Sequence, residues 1–377
     1  MKIGIDARVL GTSRALDRYT RNLITNLAAI KSQHRFVIFI SEKFSFESLG
    51  IPKALNFEYV PLPPSPALFD HFLFGLRVKK YGLKVLFHPD NKSFLWCKIP
   101  QVTTLHDLTP QKFPGLVLSK SSWLFLRQKI YFALQSAALK NSAAVITVSK
   151  NTKKDAMLML KLKDELIYPI YEGVERHFSP VNAGKVKSVL DRYNIKKPYL
   201  FYVGGFGRHK NALSVVRAFA TLEKSFKDLN LVLGGSANDA GSSGQNIYGE
   251  LLQFVGKNRL AQRVFFPGFI AEEDLPAFYS GAYVFIFPSK YEGFGFPPLE
   301  AMACGVPVVC SQAASLPEVG GKAVLYAQSV DEITFAVKQI LESGALKKEL
   351  AQKGLKQAKK FSWPKCARET LKVLESL

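Results

Sequence analysis

The stretch from Tyr283 to Val309 constrains the fold more than any other part of this chain. It opens with Tyr283-Val284-Phe285-Ile286-Phe287, an uninterrupted apolar run too short for a helix and without the alternation of a half-solvated strand. Such a run reads as a strand buried on both faces, as in a parallel sheet. Gly293 and Gly295 then free the backbone. Pro297 and Pro298 suit a first helical turn, which Leu299 to Cys304 continue. A helix N-terminus after a glycine turn presents backbone N–H groups and a positive dipole end, a place for a phosphate. Glu292 stands before the turn and Glu300 inside the helix. Two carboxylates beside an anion site would repel phosphate, so they read as acceptors of hydrogen bonds from sugar hydroxyls.

The same alternation of short apolar runs and helical patterns fills the chain. Lys2 to Asp6, Phe36 to Ile40, Phe57 to Pro61, Val85 to Phe87, Val102 to Leu105 and Ala144 to Val148 read as strands of a first series. Tyr19, Leu23, Leu27 and Ile30 predict a helix over 18–30, and Ser149 is placed to cap another. A polar, Lys-rich segment around 174–197 reads as a junction. Tyr199 to Val203, Leu231 to Leu233, Val264 to Phe266, Tyr283 to Phe287, Val306 to Val309 and Ala323 to Tyr326 form a second series. Strands alternating with helices imply α/β architecture with parallel sheets. At 377 residues two domains are expected. We place them at 1–175 and 176–360, with a terminal helix over 361–377 that returns to the first. Ligands in doubly wound sheets lie beyond the carboxyl ends of the strands. Two facing sheets would put those ends across one cleft.

Composition narrows the function classes. The four cysteines (Cys97, Cys304, Cys310, Cys366) have neither metal-ligand spacing nor a disulfide framework, as expected in a reducing compartment. No signal peptide or membrane-length apolar run is evident, so a cytoplasmic location, at the inner face of a membrane, is expected. The net charge of +21 is concentrated in residues 1–180, with 26 Lys/Arg against 13 Asp/Glu. Such charge attracts anionic membranes, nucleic acids or phosphorylated substrates. No nucleic-acid motif accompanies it, and no nucleic-acid partner is expected.

Two further groups carry chemistry. Gly204-Gly205-Phe206-Gly207-Arg208-His209-Lys210-Asn211 follows a strand, and its Arg208 and Lys210 are suited to neutralise a diphosphate leaving group. His106 and Asp107 follow the strand Val102 to Leu105, at a carboxyl end. His106 reads as a hydrogen-bond partner for a sugar hydroxyl, and Asp107 either as its orienting group or as a cap of the next turn.

The chain resembles the family-4 retaining glycosyltransferases of the GT-B fold. The residues that carry this are Pro267-Gly268-Phe269, Glu292-Gly293-Phe294-Gly295 with Glu300 eight positions on, and Ala301-Met302-Ala303-Cys304-Gly305-Val306-Pro307-Val308, supported by His106-Asp107, Lys210-Asn211 and Phe361-Ser362-Trp363. The resemblance implies two tandem Rossmann-like domains and a nucleotide diphosphate sugar donor, GDP- or UDP-linked, bound mainly by the second. It implies Glu292 on the donor sugar, Glu300 on the ribose, and His106, Arg208 and Lys210 with Glu292 as the catalytic group. Gly204, Gly205, Gly268, Phe269 and the backbone of Phe294, Gly295 and Phe296 would bind the donor. Hexose transfer with retention is implied, onto a glycan or lipid-linked glycan, most similar to bacterial mannosyltransferases of polysaccharide assembly. No Asp-x-Asp metal motif occurs, and no metal or other cofactor is expected.

One departure stands out. Where the family has Gly-x-Gly-Arg-Tyr, this chain has Ala15-Leu16-Asp17-Arg18-Tyr19. Both loop glycines are replaced, one by an acid that would cost on the order of 4 kcal/mol at about 4 Å from a phosphate charge at an effective dielectric of ~20. Either the loop stays away, or Arg14 and Arg18 offset Asp17, or Asp17 serves the acceptor, or activity is lost; Gly11-Thr12-Ser13 offers another close approach. Asp17, Arg18 and Asp107 are therefore the acceptor-side candidates. Leu116 to Ala137, with Trp123, Phe125 and Ile130 among Lys120, Arg127 and Lys129, offers an apolar-basic face for an anionic membrane, as do Lys79, Lys80 and Lys84. The alternative readings are a noncatalytic sugar-nucleotide-binding homologue and a polyanion-binding protein.

Overall fold

A computed structural model describes residues 1–12, 14–63, 67–113, 122–237 and 246–377. The chain forms two compact units. One comprises Met1–Lys112, Leu118–Gly173 and Ser362–Leu377, and the other Val174–Phe361 together with Phe113.

The first unit is built on seven parallel strands: β1 (Lys2–Asp6), β2 (Arg35–Ser41), β3 (Phe57–Leu62), β4 (Val85–His88), β5 (Gln101–Leu105), β6 (Ala144–Thr147) and β7 (Ile167–Pro169). Their order is β3-β2-β1-β4-β5-β6-β7. Central strands are buried along their length, and Ile5 of β1 is paired with Ile38 on one side and Phe87 on the other. The strand order reverses between β1 and β4, which is where such sheets bind ligands. The short β7 is not foreseen by the sequence reading: Ile167 is buried but Tyr168 and Pro169 are exposed, so no apolar run announces it.

The helix predicted over 18–30 runs from Arg14 to Ala28. Arg, Ala and Leu are good helix formers, and they carry the helix a turn earlier than its apolar stripe. Tyr19, Leu23 and Leu27 are buried, each contributing roughly 1.5–3 kcal/mol. The last helix, Trp363–Glu375, packs on this one in the same unit, with the Trp363 and Tyr19 rings 5.7 Å apart. Gly173 lies against it so closely that a Cβ would stand 2.2 Å from the Trp363 nitrogen. Ser149 caps the helix Lys150–Leu160 by accepting from the Thr152 N–H.

The second unit has six parallel strands: β8 (Tyr199–Val203), β9 (Asn230–Gly234), β10 (Val264–Gly268), β11 (Val284–Phe287), β12 (Val308–Cys310) and β13 (Leu325–Tyr326), ordered β10-β9-β8-β11-β12-β13. Its order reverses between β8 and β11. Phe201, Phe278, Tyr279 and Phe285 pack as a buried ring cluster, with Phe201 5.3–5.7 Å from the others. All four cysteines are free thiols, Cys97 partly buried and the rest buried.

Candidate active site

In the second unit β9 and β10 end on glycine, and Gly204 directly follows their neighbour β8. The Gly204 N–H donates to the Gly234 carbonyl (3.0 Å) and the Gly235 N–H to that of Gly268 (2.8 Å). A Cβ on Gly235 would lie 2.2 Å from the Gly204 oxygen, and its φ of +152° excludes other residues as well. The result is a shelf of bare backbone across β8, β9 and β10, with Gly205 beside it and the half-exposed Phe269 at its edge. Gly204, Gly205, Gly268 and Phe269 were expected here; Gly235 was not, although two glycines after the apolar Leu231-Val232-Leu233 signal it.

Arg208–Lys210 forms a single 3₁₀ turn beyond this shelf, closed by the Lys210 N–H on the Gly207 carbonyl (2.9 Å). The Lys290 N–H donates to the His209 carbonyl (2.8 Å), joining this turn to the Glu292 loop. Lys210 Nζ then donates to both Glu292 oxygens, at 2.7 and 2.9 Å. Both side chains are mostly shielded, so this pair is worth more than a surface ion pair. Arg208 instead donates to Glu250 Oε1 at 2.5 Å, with both groups exposed. Glu250 has no sequence signal.

The turn after Glu292 is held from behind. Ser315 Oγ, fully buried, lies 3.0 Å from the Glu292 carbonyl and 2.5 Å from that of Phe294. Gly295 has a φ of +126°, and a Cβ there would come 2.9 Å from Leu316 Cδ2. The helix Phe296–Ala303 follows, with its first intrahelical bond from Leu299 N–H to Gly295 O. Pro297 and Pro298 bring no N–H, so the donors of this helix start come from Gly295 and Phe296. The Phe294 ring is buried beside Phe296 and Phe361, at 5.6 and 5.8 Å, which leaves its backbone as the part suited to a ligand. Glu300 is buried, and its Oε2 accepts from the Tyr279 hydroxyl at 2.7 Å.

In the first unit His106 is hydrogen-bonded through Nε2, and its Nδ1 faces a buried carboxylate. Nε2 lies 2.8 Å from the Pro89 carbonyl and Nδ1 3.2 Å from Glu172 Oε1, while the backbone N–H donates to Asn91 Oδ1 at 2.7 Å. A carbonyl only accepts, so Nε2 carries hydrogen. Burial alone would lower the His106 pKa, but the Glu172 carboxylate, and after it the Pro89 carbonyl and Asp107, outweigh burial and raise it. His106 is thus a fixed, cation-favouring ring, with its Tyr19 neighbour edge-on at 4.6 Å. Both ring nitrogens already face protein oxygens, Glu172 among them. Asp107 Oδ1 accepts from the Thr109 N–H at 3.0 Å and caps that turn, one of the two roles expected of it. Glu172 escaped the sequence reading because only the fold brings it to His106.

Asp17 lies in the first turn of the helix Arg14–Ala28, not in a loop. Its Oδ1 accepts from the Gly11 N–H at 2.6 Å, and Arg21 donates to both oxygens at 2.8 and 3.0 Å. Arg21, one turn on, is thus an offsetting cation that the sequence reading did not name. Arg18 sits on the same helix, its carbonyl accepting from Asn22 Nδ2. Ser13 and residues 116–121 of the expected membrane face lie outside the described residues.

Two family models match: Glycosyltransferase Family 4 over residues 16–178 and Glycosyl transferases group 1 over residues 191–357. The O-antigen chain mannosyltransferase B of Escherichia coli is 30% identical over 284 residues, covering 73% of this chain and 70% of that protein. Serotype-specific mannosyltransferase WbdA of the same organism is 26% identical over 272 residues; the match spans 71% of this chain but only 32% of that longer protein. Among solved structures, Anabaena Alr3699/HepE in complex with UDP-glucose superposes with a TM-score of 0.76 at 18% identity, over all of both chains. That likeness and the two parallel sheets give the GT-B fold. With the matched family models and the O-antigen relative, they place the chain in glycosyltransferase family 4, and it is a sugar-transferring enzyme of that family.

Proposed function

We propose that this enzyme moves a hexose, mannose before others, from a nucleotide diphosphate sugar to a glycan or lipid-linked glycan, with retention of anomeric configuration and without a metal ion. The observation that carries this reading is the Lys210–Glu292 pair, set between a glycine shelf and a glycine-preceded helix start. On this reading Lys210 and Arg208 neutralise the departing diphosphate, so no bound cation is needed. The Gly295 and Phe296 N–H groups and the Phe294 backbone meet the sugar diphosphate, with Gly204, Gly205 and Gly268 allowing its close approach. Glu292 accepts from sugar hydroxyls, Glu300 meets the ribose and Phe269 edges the donor. His106 acts as a fixed ring whose charged form Glu172 favours, rather than as a base that moves a proton. No carboxylate is assigned as nucleophile. The mannose preference follows the names of the O-antigen relatives, and GDP or UDP is the carrier.

The acceptor reading has support on the first unit. Helix Ala67–Lys79 exposes Phe69, Leu73 and Leu76, followed by Lys79, Lys80 and Lys84, and helix Ser122–Lys140 exposes Leu126 and Ile130. An apolar-basic surface suits a lipid-linked acceptor at an anionic membrane. No described helix is long and apolar enough to cross one. The noncatalytic reading was motivated by Asp17, and that motive weakens now that Gly11 and Arg21 hold its carboxylate.

A panel of GDP- and UDP-sugars, read first by thermal shift and then by product analysis in a chelator, tests this reading. GDP-mannose is expected to give the largest shift, and an α-linked product is expected to form at an undiminished rate in the chelator. Absence of any nucleotide-sugar shift would overturn the donor reading. A β-linked product would overturn retention, and restoration by magnesium or manganese would overturn metal independence.

A further inference from the structure

Arg208, assigned above to the departing diphosphate, already holds an anion. Its Nη2 donates to Glu250 Oε1 at 2.5 Å. The donor reading gives sugar and ribose contacts to Glu292 and Glu300 and none to Glu250. Glu250 is therefore an acid set against a cation that the reaction needs.

The acid is held on a rigid element. Glu250 lies in the first turn of the helix Tyr248–Lys257, where the helix dipole favours a carboxylate. The start of that helix is fastened to the turn that carries Arg208. The Ile247 N–H donates to the Phe206 carbonyl at 2.9 Å, and the Tyr248 ring packs against Phe206 and Phe266, at 5.2 and 5.5 Å. Leu251, next to Glu250, is fully buried. The Arg208 side chain, by contrast, is long, flexible and 58% exposed. Glu250 stays in place when a ligand arrives, and Arg208 is the group that moves.

A diphosphate at this turn meets a guanidinium that is already engaged. If Arg208 leaves Glu250, the ion pair is lost. If it holds both, a carboxylate remains close to the phosphates. Either case lowers the affinity for diphosphate, and an exposed ion pair limits the effect to about fivefold. Lys210 differs, because its partner Glu292 is itself assigned to the donor and that pair is mostly shielded. The product feels Glu250 more than the donor does. On transfer the bond from the sugar C1 to the phosphate oxygen breaks and that oxygen keeps the electron pair. The acceptor hydroxyl oxygen bonds to C1 and its proton passes to solvent. The nucleotide diphosphate thus gains a negative charge, and its hold on the site depends more on Arg208.

We propose that Glu250 is a positioning residue that competes with the nucleotide diphosphate product for Arg208 and so speeds product release. The proposal rests on the donor reading and adds to it a residue that sets product affinity.

Calorimetric titration of the full chain with GDP and with UDP tests it, on the wild type, Glu250→Gln, Glu250→Ala, Arg208→Ala and the Arg208→Ala/Glu250→Gln double variant. Glu250→Gln and Glu250→Ala are each expected to tighten the diphosphate that binds by about threefold to fivefold at low salt, with the gap closing at high salt. Product inhibition of sugar transfer should strengthen by the same factor. In the Arg208→Ala background, Glu250→Gln should leave the affinity unchanged. Unchanged or weaker binding in both Glu250 variants would overturn the competition. A tightening that persists without Arg208 would overturn the route through it. Failure of the wild type to bind either diphosphate would overturn the donor reading and this proposal with it, a result distinct from binding that ignores Glu250.

Discussion

The two sheets share a strand order through six strands, yet they finish their carboxyl edges in opposite ways. The second unit ends β8, β9 and β10 in bare glycine backbone. The first ends β1 and β4 in charge: Asp6, Arg8, His88, Asp90 and Lys92, neutralised among themselves. Burial would raise the Asp6 pKa, but Arg8 and then His88 overcome it and hold that carboxyl well below the usual range. One edge brings bare backbone close to a ligand, beside the Lys210–Glu292 pair. The other carries paired side chains there, Arg8 with Asp6 and Lys92 with Asp90. The same topology therefore ends in backbone in one unit and in ion-paired side chains in the other.

The sharpest way to break this contrast is at Lys210 and Glu292. Alanine at either is expected to reduce sugar transfer by about 10²–10³-fold, as for loss of a group that stabilises developing charge. Transfer within tenfold of wild type would mean that the reaction does not depend on the glycine edge. In the first unit, Asp6→Asn leaves Arg8 buried with half its partners, and a loss of about 3 kcal/mol in denaturant unfolding is expected. The sign with pH follows from the lowered pKa: the Asp6 contribution is complete above the unfolded value and fades as pH falls through the folded one. Gly235→Ala drives a Cβ into the Gly204 oxygen and is expected to cost about 2 kcal/mol, lowering the melting temperature; Gly249→Ala, with open space around it, should not.

Glu172→Gln probes His106. Since the folded His106 pKa is raised, the stabilisation it brings is complete below its ordinary value and is lost as pH rises through the folded value. The stability gap between wild type and variant should therefore be widest, about 1.5 kcal/mol, in mild acid and close toward alkaline pH. A gap independent of pH would show that Glu172 acts by packing alone. The smallest effect is expected at Asp17→Gly: turnover intact or raised, with stability lower by about 1 kcal/mol through loss of the Gly11 and Arg21 contacts. A collapse of turnover would give Asp17 a role with the acceptor.

Much of this was legible in the sequence because it is local. Buried parallel strands are short apolar runs, and the Glu292 turn announces itself by glycine and proline within a few residues. Motif spacing also found Lys210, though not that its amine holds Glu292, 82 positions away. What was missed is long-range or masked by resemblance. Glu172 on His106, Glu250 on Arg208 and Tyr279 on Glu300 are pairings that topology creates between segments with no pattern of their own. Asp17 was read through a family loop, whereas Arg14, Ala15 and Leu16 favour helix and fold as one.

The helix Trp363–Glu375 belongs to the unit that begins at Met1. During synthesis, the partner surface on the helix Arg14–Ala28, with Tyr19 among its residues, must therefore wait while the whole second unit emerges from the ribosome. Every residue of the second unit is therefore made before the helix that completes the packing of the first.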